Sequence, residues 1–285
     1  MRQTFLCFLR DLDLSKGRSR RTCEIYRQIL KQFDIFLAEQ EESEEMARAY
    51  LRTRAKKVSA NTQSLEVAAL RSFSRWRVDQ ERSFPKKFFK IWNLKTPKIS
   101  KKLIRVFSEE DVGLLLKTIS EVSSYEQMLF YLLYGSGLRI SEALDLGEEN
   151  INFQKKTIRV LGKGSRWREV PVLDEFLKIF SRSCSVKDAE ISKTWHKGEV
   201  TYALARKWIL NWGKASGLHE KYGVLHPHKL RHALASHLLR RGARLPHIQK
   251  LLGHKHLSTT QKYTHLELED LLKAYDKALP AKLAA

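Results

Sequence analysis

Cysteine is scarce. Cys7, Cys23 and Cys184 are an odd set with no paired spacing, which excludes a disulfide framework and a cysteine zinc site and suits a reducing cytoplasm. No apolar run approaches the roughly 20 residues that span a bilayer. Arg10, Asp11 and Asp13 follow soon after the start with no signal-cleavage pattern, so the sequence predicts a soluble, unexported protein. Gly162-Lys163-Gly164-Ser165 has no upstream glycine at the spacing of a nucleotide-binding loop, and no ATP is implied. His228 and His232 stand four apart, as zinc ligands on a helix can. His-Lys-Leu-Arg-His nevertheless has no glutamate between them, and its two cations disfavour a divalent ion. Nothing repeats at a fixed period, and no segment is low in complexity.

Acidic residues are also few: 32 against 53 basic ones, leaving a net charge of +21 on 285 residues. That excess favours a polyanionic partner, nucleic acid above all. It is shared along the chain, with 22 basic and 12 acidic residues in positions 1–100 and 31 and 20 in the remainder. Charge alone leaves RNA or ribosome binding open. At this length two domains are expected, by a prior of about 150 residues each.

The first hundred residues are helical in pattern. Phe5, Leu6, Phe8, Leu9 and Leu12 form a short apolar face; Ser19 to Glu39 carries a second, with Arg18, Arg20, Arg21 and Arg27 at its start. Cations there oppose the helix dipole and suggest an external anion, a solvated charge run being the alternative. The acidic run Glu41–Glu45 interrupts the basic pattern and is expected to point away from DNA, before a third helix ending near Lys57. Ser59-Ala60-Asn61-Thr62 suits a helix start. Beyond it Leu65, Ala68, Ala69, Ser72, Phe73 and Trp76 are predicted to be the buried face, with Arg71, Arg75 and Arg77 alongside. Four or five helices and no strand describe a small bundle, residues 1–94. Residues 95–104, with Lys95, Lys98, Lys101 and Lys102, read as an extended basic linker.

The second domain, 105–285, opens with Ser108 three residues before Asp111, close to a capping box. An apolar helix, Tyr125 to Tyr134, stops at Gly135-Ser136-Gly137, and helical spacing restarts with Arg139 at its beginning. Ile151–Phe153, Thr157–Val160 and Glu169–Val172 read as short strands, with Lys163 in the turn between the last two. Asp174 to Phe180, Tyr202 to Ala215, His228 to Arg240 and Leu245 to Leu252 read as helices, with Gly242 and Gly253 as stops; 181–200 is the least legible part. The fold expected is mainly α with a small β-hairpin sheet.

Chemistry concentrates near the end. Arg231 follows His228 by three positions, His254 follows Arg231 by twenty-three, and Tyr263 follows His254 by nine. Tyrosine can bond covalently to phosphorus, arginine grips two phosphate oxygens, and histidine moves a proton near neutral pH. Singly, each has an ordinary alternative: Arg139 and Glu142 as a helix ion pair, Lys163 as a solvated turn residue, His228 and His232 as a satisfied pair. As an ordered set, these residues suggest phosphoryl transfer on DNA.

From about Ser19 to Leu279 the chain resembles the tyrosine recombinase/integrase family in its bacterial Xer-type branch. Gly135-Ser136-Gly137-Leu138-Arg139-Ile140-Ser141-Glu142 is similar to the family's first box. His228-Lys229-Leu230-Arg231-His232, Leu251-Leu252-Gly253-His254 and Tyr263 are similar to its second, and Leu161–Arg166 to its lysine hairpin.

The resemblance implies a SAM-like core-binding bundle and a catalytic domain clamping duplex DNA. Tyr263 would be the nucleophile forming a 3′-phosphotyrosine, Arg139 and Arg231 the phosphate clamp, Lys163 the general acid, His228 the partner of the tyrosine proton and His254 a phosphate donor. It implies four protomers, alike or of two kinds, on a Holliday junction, a tail helix that docks on the neighbour, an activating DNA translocase as a further partner, and no cofactor. Arg20, Arg21, Asn61, Thr62, Arg71, Arg75, Lys101, Lys102 and Arg166 are the DNA-binding candidates. The absence of an extra arm-binding module favours resolution of chromosome or plasmid dimers at a dif-like site, in the cytoplasm on the nucleoid. A mobile-element integrase or transposase, and a catalytically idle DNA-binding protein, are the alternatives.

Overall fold

The computed structural model describes residues 1–14, 20–80, 96, 105–162, 166–185, 200–253 and 275. Lys163, His254, Tyr263, Lys101 and Lys102 lie outside the described residues, as do the linker apart from Thr96, the tail helix apart from Tyr275, and the side chain of Arg20. The chain divides into two compact units, Met1–Leu103 and Ile104–Ala285.

In the first unit the described residues form four helices: α1 (Gln3–Leu14), α2 (Arg20–Leu37), α3 (Glu44–Ala55) and α4 (Ala60–Gln80). Phe73 of α4 meets Phe5 of α1 edge-on, centroids 4.7 Å apart, and Phe33 of α2 lies 5.2 Å from Tyr50 of α3. Aromatic rings thus fill the centre of the bundle. Ser43 caps α3 by accepting the Met46 amide, and Ser59 Oγ accepts the Thr62 amide at the start of α4.

One expectation needs correction here. The buried stripe of α4 is Glu66, Val67, Ala69, Leu70, Phe73 and Ser74. Leu65 is 47% exposed, and Ala68, Ser72 and Trp76 are only half-buried. Apolar side chains lie on more than one side of this helix, and its phase is set by partners the sequence does not announce. One is the edge-on ring of Phe5; another is Arg54, which binds the buried Glu66 at 2.6 Å. The acidic run packs into the bundle. Glu42 accepts from Thr4 and pairs with Arg77, joining α1 to α4, while Glu44 and Glu45 occupy the first turn of α3.

The second unit begins with α5 (Glu109–Ser120) and α6 (Ser124–Phe130), which runs on into a π-helical turn over Tyr131–Gly135. Ser108 Oγ accepts the Asp111 amide and Asp111 accepts the Ser108 amide, a complete capping box. Then come α7 (Ile140–Leu144), a 3₁₀ turn and an antiparallel sheet in the order β1 (Ile151–Asn152), β2 (Thr157–Gly162) and β3 (Arg166–Pro171). Next are α8 (Asp174–Ser185), α9 (Tyr202–Ala215), α10 (Leu218–Tyr222), α11 (Pro227–Arg240) and α12 (Leu245–Leu252). The short α10, between Gly217 and Gly223, was not expected from the sequence. Leu133, Tyr134, Ile158, Val170, Trp212, Leu230 and Leu234 are core residues, so the sheet and α11 share one apolar interior. No helix of the described residues is long and apolar enough to cross a membrane.

Candidate active site

Two glycine-bounded turns bring the site together. Gly137 adopts φ +65°, and a Cβ there would stand 2.9 Å from side-chain atoms of Leu234 and Leu252, so only glycine fits. The chain then enters α7 with Arg139 at its cap, where Glu142 accepts the Arg139 amide at 2.9 Å. Gly253 ends α12 in the left-handed region, φ 62°.

On α11, His226 is the cap and Pro227 the first residue, where the missing N–H costs nothing. His228, in the first turn, and His232, in the second, are exposed, while Arg231 is 5% exposed. Arg231 donates to the carbonyls of Gly137 and Leu252, joining the two turns.

A single carboxylate organises the cations. Glu142 accepts from Arg139 Nη1 at 2.6 Å and from both Nη atoms of Arg168, at 3.0 and 2.8 Å; Arg231 stands 4.0 Å away. Burial would raise the Glu142 carboxyl, but bonds from Arg168 and from the Arg139 backbone and side chain outweigh it and hold it at about 2. It is ionised at neutral pH, and three guanidiniums around one carboxylate leave two positive charges uncompensated. Arg231 is drawn down to about 10, by burial first and then by Arg139 and Arg168, and stays charged. His228 is lowered by burial, then by Arg231, His232 and Arg139, which favours the neutral imidazole that can accept a proton.

The fold brings Arg139 and Arg231 together around Glu142, with His228 near enough to feel both charges, while Lys163, His254 and Tyr263 lie outside the described residues. Arg139 does form the ion pair with Glu142 offered as its ordinary alternative, yet its Nη2 also reaches the Gly253 carbonyl at 3.1 Å, beside His254 in sequence. Arg168 escaped the sequence reading. The signal was the strand alternation: on β3 it shares a face with Val170, whereas Trp167 is 53% exposed, with Arg159 over its ring at 5.4 Å.

Of the DNA-binding candidates, Arg21, Asn61, Arg75 and Arg166 are exposed and Arg71 is partly buried. Thr62 lies with its hydroxyl 3.0 Å from that of Ser59. Arg21 lies 3.6 Å from Glu24. Among the described residues no three His, Cys, Asp or Glu side chains gather as metal ligands.

Residues 105–269 match the phage integrase family and residues 7–81 its N-terminal SAM-like domain. The chain is 33% identical over 294 residues to the tyrosine recombinase XerC of Staphylococcus aureus (strain USA300), covering 96% of this chain and 95% of that protein. Among solved structures, a lambda integrase tetramer bound to a Holliday junction superposes with a TM-score of 0.70 at 16% identity, covering 92% of this chain and 79% of that one. The XerH site-specific recombinase bound to its difH substrate gives 0.66 at 20% identity, over 88% and 78%. At such identities the likeness is one of fold. The family match over 105–269, together with one-third identity along nearly the whole of a recombinase, makes this chain a member of the phage integrase family, the tyrosine recombinases that cleave and rejoin DNA.

Proposed function

We propose that this protein is a site-specific recombinase that resolves chromosome or plasmid dimers at a dif-like site through a Holliday junction, acting as a tetramer in the cytoplasm on the nucleoid. The observation that carries it is the pairing of Arg139 and Arg231 around one ionised carboxylate, with His228 held toward its neutral form close by in sequence. The two guanidiniums would take the nonbridging oxygens of the scissile phosphate, countering the charge that repels a nucleophile. Tyr263 Oη attacks phosphorus in line, His228 receives its proton, and the 5′-oxygen leaves with a proton from Lys163, giving a 3′-phosphotyrosine. His254 donates to a phosphate oxygen. The phosphotyrosine keeps the energy of the broken bond for rejoining, so neither a nucleotide nor a metal ion is required.

Residues 1–94 would be the core-binding domain, 95–104 a basic linker and 105–285 the catalytic domain. The outward side of α4, with the exposed Asn61, Leu65 and Arg75 and the partly buried Arg71, suits a groove-facing helix. Thr62 at its start, Arg20, Arg21, Lys101, Lys102 and Arg166 would add contacts to the phosphates. The junction-bound tetramer of lambda integrase and the difH complex of XerH support the assembly and the type of site. An activating DNA translocase is a further partner of this reading. The tail helix is proposed to dock on the neighbouring protomer. In the single chain Tyr275 is buried and donates to the Gly135 carbonyl, a seat that docking in trans would have to vacate.

The test is covalent trapping. A nicked, labelled duplex carrying the cognate site should give a detergent-resistant, protease-sensitive adduct that Tyr263→Phe abolishes and a chelator leaves intact. An adduct formed by that variant would displace Tyr263. The absence of any adduct from the wild type would favour an idle DNA-binding protein. Sequencing the DNA held by Tyr263→Phe identifies the site; insertion ends of a mobile element among it would replace dimer resolution by integration.

A further inference from the structure

Arg168, on β3, is only 9% exposed. Its Nη1 and Nη2 form a two-point bond with Glu142, at 3.0 and 2.8 Å, and its Nε donates to the Leu251 carbonyl at 3.1 Å. Two glycines lie against the same guanidinium. A Cβ on Gly162 would stand 3.1 Å from Nη1, and a Cβ on Gly253 would stand 3.2 Å from Nε and Cζ. Gly162 immediately precedes Lys163, and Gly253 immediately precedes His254. The carbonyls of Leu251, Leu252 and Gly253, at the negative end of α12, accept in turn from Arg168, Arg231 and Arg139.

We propose that Arg168 is a positioning residue for DNA cleavage: one buried guanidinium fixes, at the same time, the carboxylate that orients Arg139, the strand end leading into Lys163, and the helix end leading into His254. This rests on the roles proposed above for those three residues. Arg168 itself stays off the phosphate. Its planar fork is what the arrangement requires, because a carboxylate and a carbonyl must be held from one rigid group while two backbones pass close to its faces and edge. A lysine ammonium carries the same charge but is one point, and cannot make these contacts together.

The experiment compares the full-length wild type with Arg168→Met and Arg168→Lys, measuring duplex binding by gel shift and adduct formation on a nicked duplex across pH. For Arg168→Met we expect binding near wild type and cleavage slower by about 100-fold, the size of effect that a misplacement of about 1 Å produces. It should also show an acid limb at higher pH than the wild type. Glu142 loses its largest stabilising partner, its carboxyl then protonates at higher pH, and cleavage falls as pH drops through that value. Adding Glu142→Gln to Arg168→Met should remove the limb without restoring the rate. A purely structural arginine would not move the pH profile.

Should Arg168→Met not fold, Arg168→Lys decides, with binding retained and cleavage slowed by about tenfold or more expected from a disturbed site. Wild-type cleavage by either variant overturns the proposal, as does a loss of cleavage matched by an equal loss of binding with an unchanged pH profile. An adduct formed by Tyr263→Phe would instead sink the underlying assignment of the nucleophile, whatever Arg168 does.

Discussion

The two units bury charge in opposite ways. In the N-terminal bundle a buried acid meets one arginine: Glu66, 1% exposed, is bound by Arg54 at 2.6 Å, and the surrounding core is aromatic. In the C-terminal unit one acid meets three, so that Arg139, Arg168 and Arg231 converge on Glu142 and leave a positive excess inside the protein. A balanced pair is fully explained by folding. An excess is costly unless something compensates it; the carbonyls at the end of α12 take part of it, and the scissile phosphate of the proposed function would take the rest.

The largest way to break this comparison is to remove both acids. Glu142→Ala leaves Arg168 and Arg231 buried without a counter-ion and should cost about 3–5 kcal/mol, the range for a broken buried pair. Glu66→Ala should cost less, about 1–3 kcal/mol, because Arg54 is 23% exposed and can turn toward water. Denaturant unfolding of the two variants checks the order; equal losses would mean that the imbalance carries no energetic signature. Next come the cations themselves. Arg139→Ala and Arg231→Ala should each lower adduct formation by about 10²–10³-fold, as loss of one oxyanion donor does. Arg54→Ala should leave the adduct rate on bound DNA unchanged.

Acid sharpens the contrast. The Glu142 carboxyl is held at about 2, below its ordinary 4.5. A depressed acid stabilises the folded state above its unfolded pKa, and that contribution is lost as pH falls through the window between the two values. Here it amounts to about 3 kcal/mol, disappearing from just above pH 4.5 down toward 2. Asp111, also held at about 2, where bonds from Lys221 and Tyr222 outweigh the opposing effect of burial, adds to the loss in the same unit. Wild-type and Glu142→Gln proteins should therefore converge in stability at low pH. A stability difference that is constant down to pH 2 would contradict the ionised cluster.

What the sequence could tell differs between the units for the same reason. Helices whose apolar stripe and caps agree were legible to the residue, as with Tyr202–Ala215, Leu245–Leu252 and the Ser108 capping box. The phase of α4 was not, because its buried face includes Glu66 and Ser74, whose burial depends on a partner from another helix. In the site, Arg139, His228 and Arg231 could be read from spacing along the chain. Arg168 could not, because its partners are Glu142, 26 positions away, and Leu251, 83 positions away. Only the pairing of Val160 with Arg168 across β2 and β3, together with alternation beside Val170, brings that side chain inward. The π turn at Tyr131–Gly135 likewise interrupts a stretch whose apolar pattern reads as continuous helix.

On the DNA side, replacing Arg71 and Arg75 together by alanine should weaken binding on every sequence alike. It should also flatten the dependence on salt, by about one unit of slope for each phosphate no longer neutralised. A salt titration by gel shift or anisotropy measures it. An unchanged slope would turn this face of α4 away from DNA.

The smallest effect expected compares the caps of the two units. Ser43 accepts one amide, from Met46 at 3.1 Å, at the start of α3. Ser108 accepts one as well, from Asp111 at 3.2 Å, but Asp111 in turn binds the Ser108 amide, Lys221 at 2.9 Å and Tyr222 at 2.5 Å. Loss of the Ser108 hydroxyl leaves those three bonds in place, so the entry to α5 should remain anchored to α10. Ser43→Ala and Ser108→Ala should then each cost about 1 kcal/mol, the ordinary value of an N-cap, with cleavage of bound DNA unaltered. Asp111→Ala, which removes the shared acceptor, should cost more than either. Calorimetry on the full chain reads all three, and a Ser108→Ala loss as large as that of Asp111→Ala would mean that the cap, not the carboxylate, holds α5 in place.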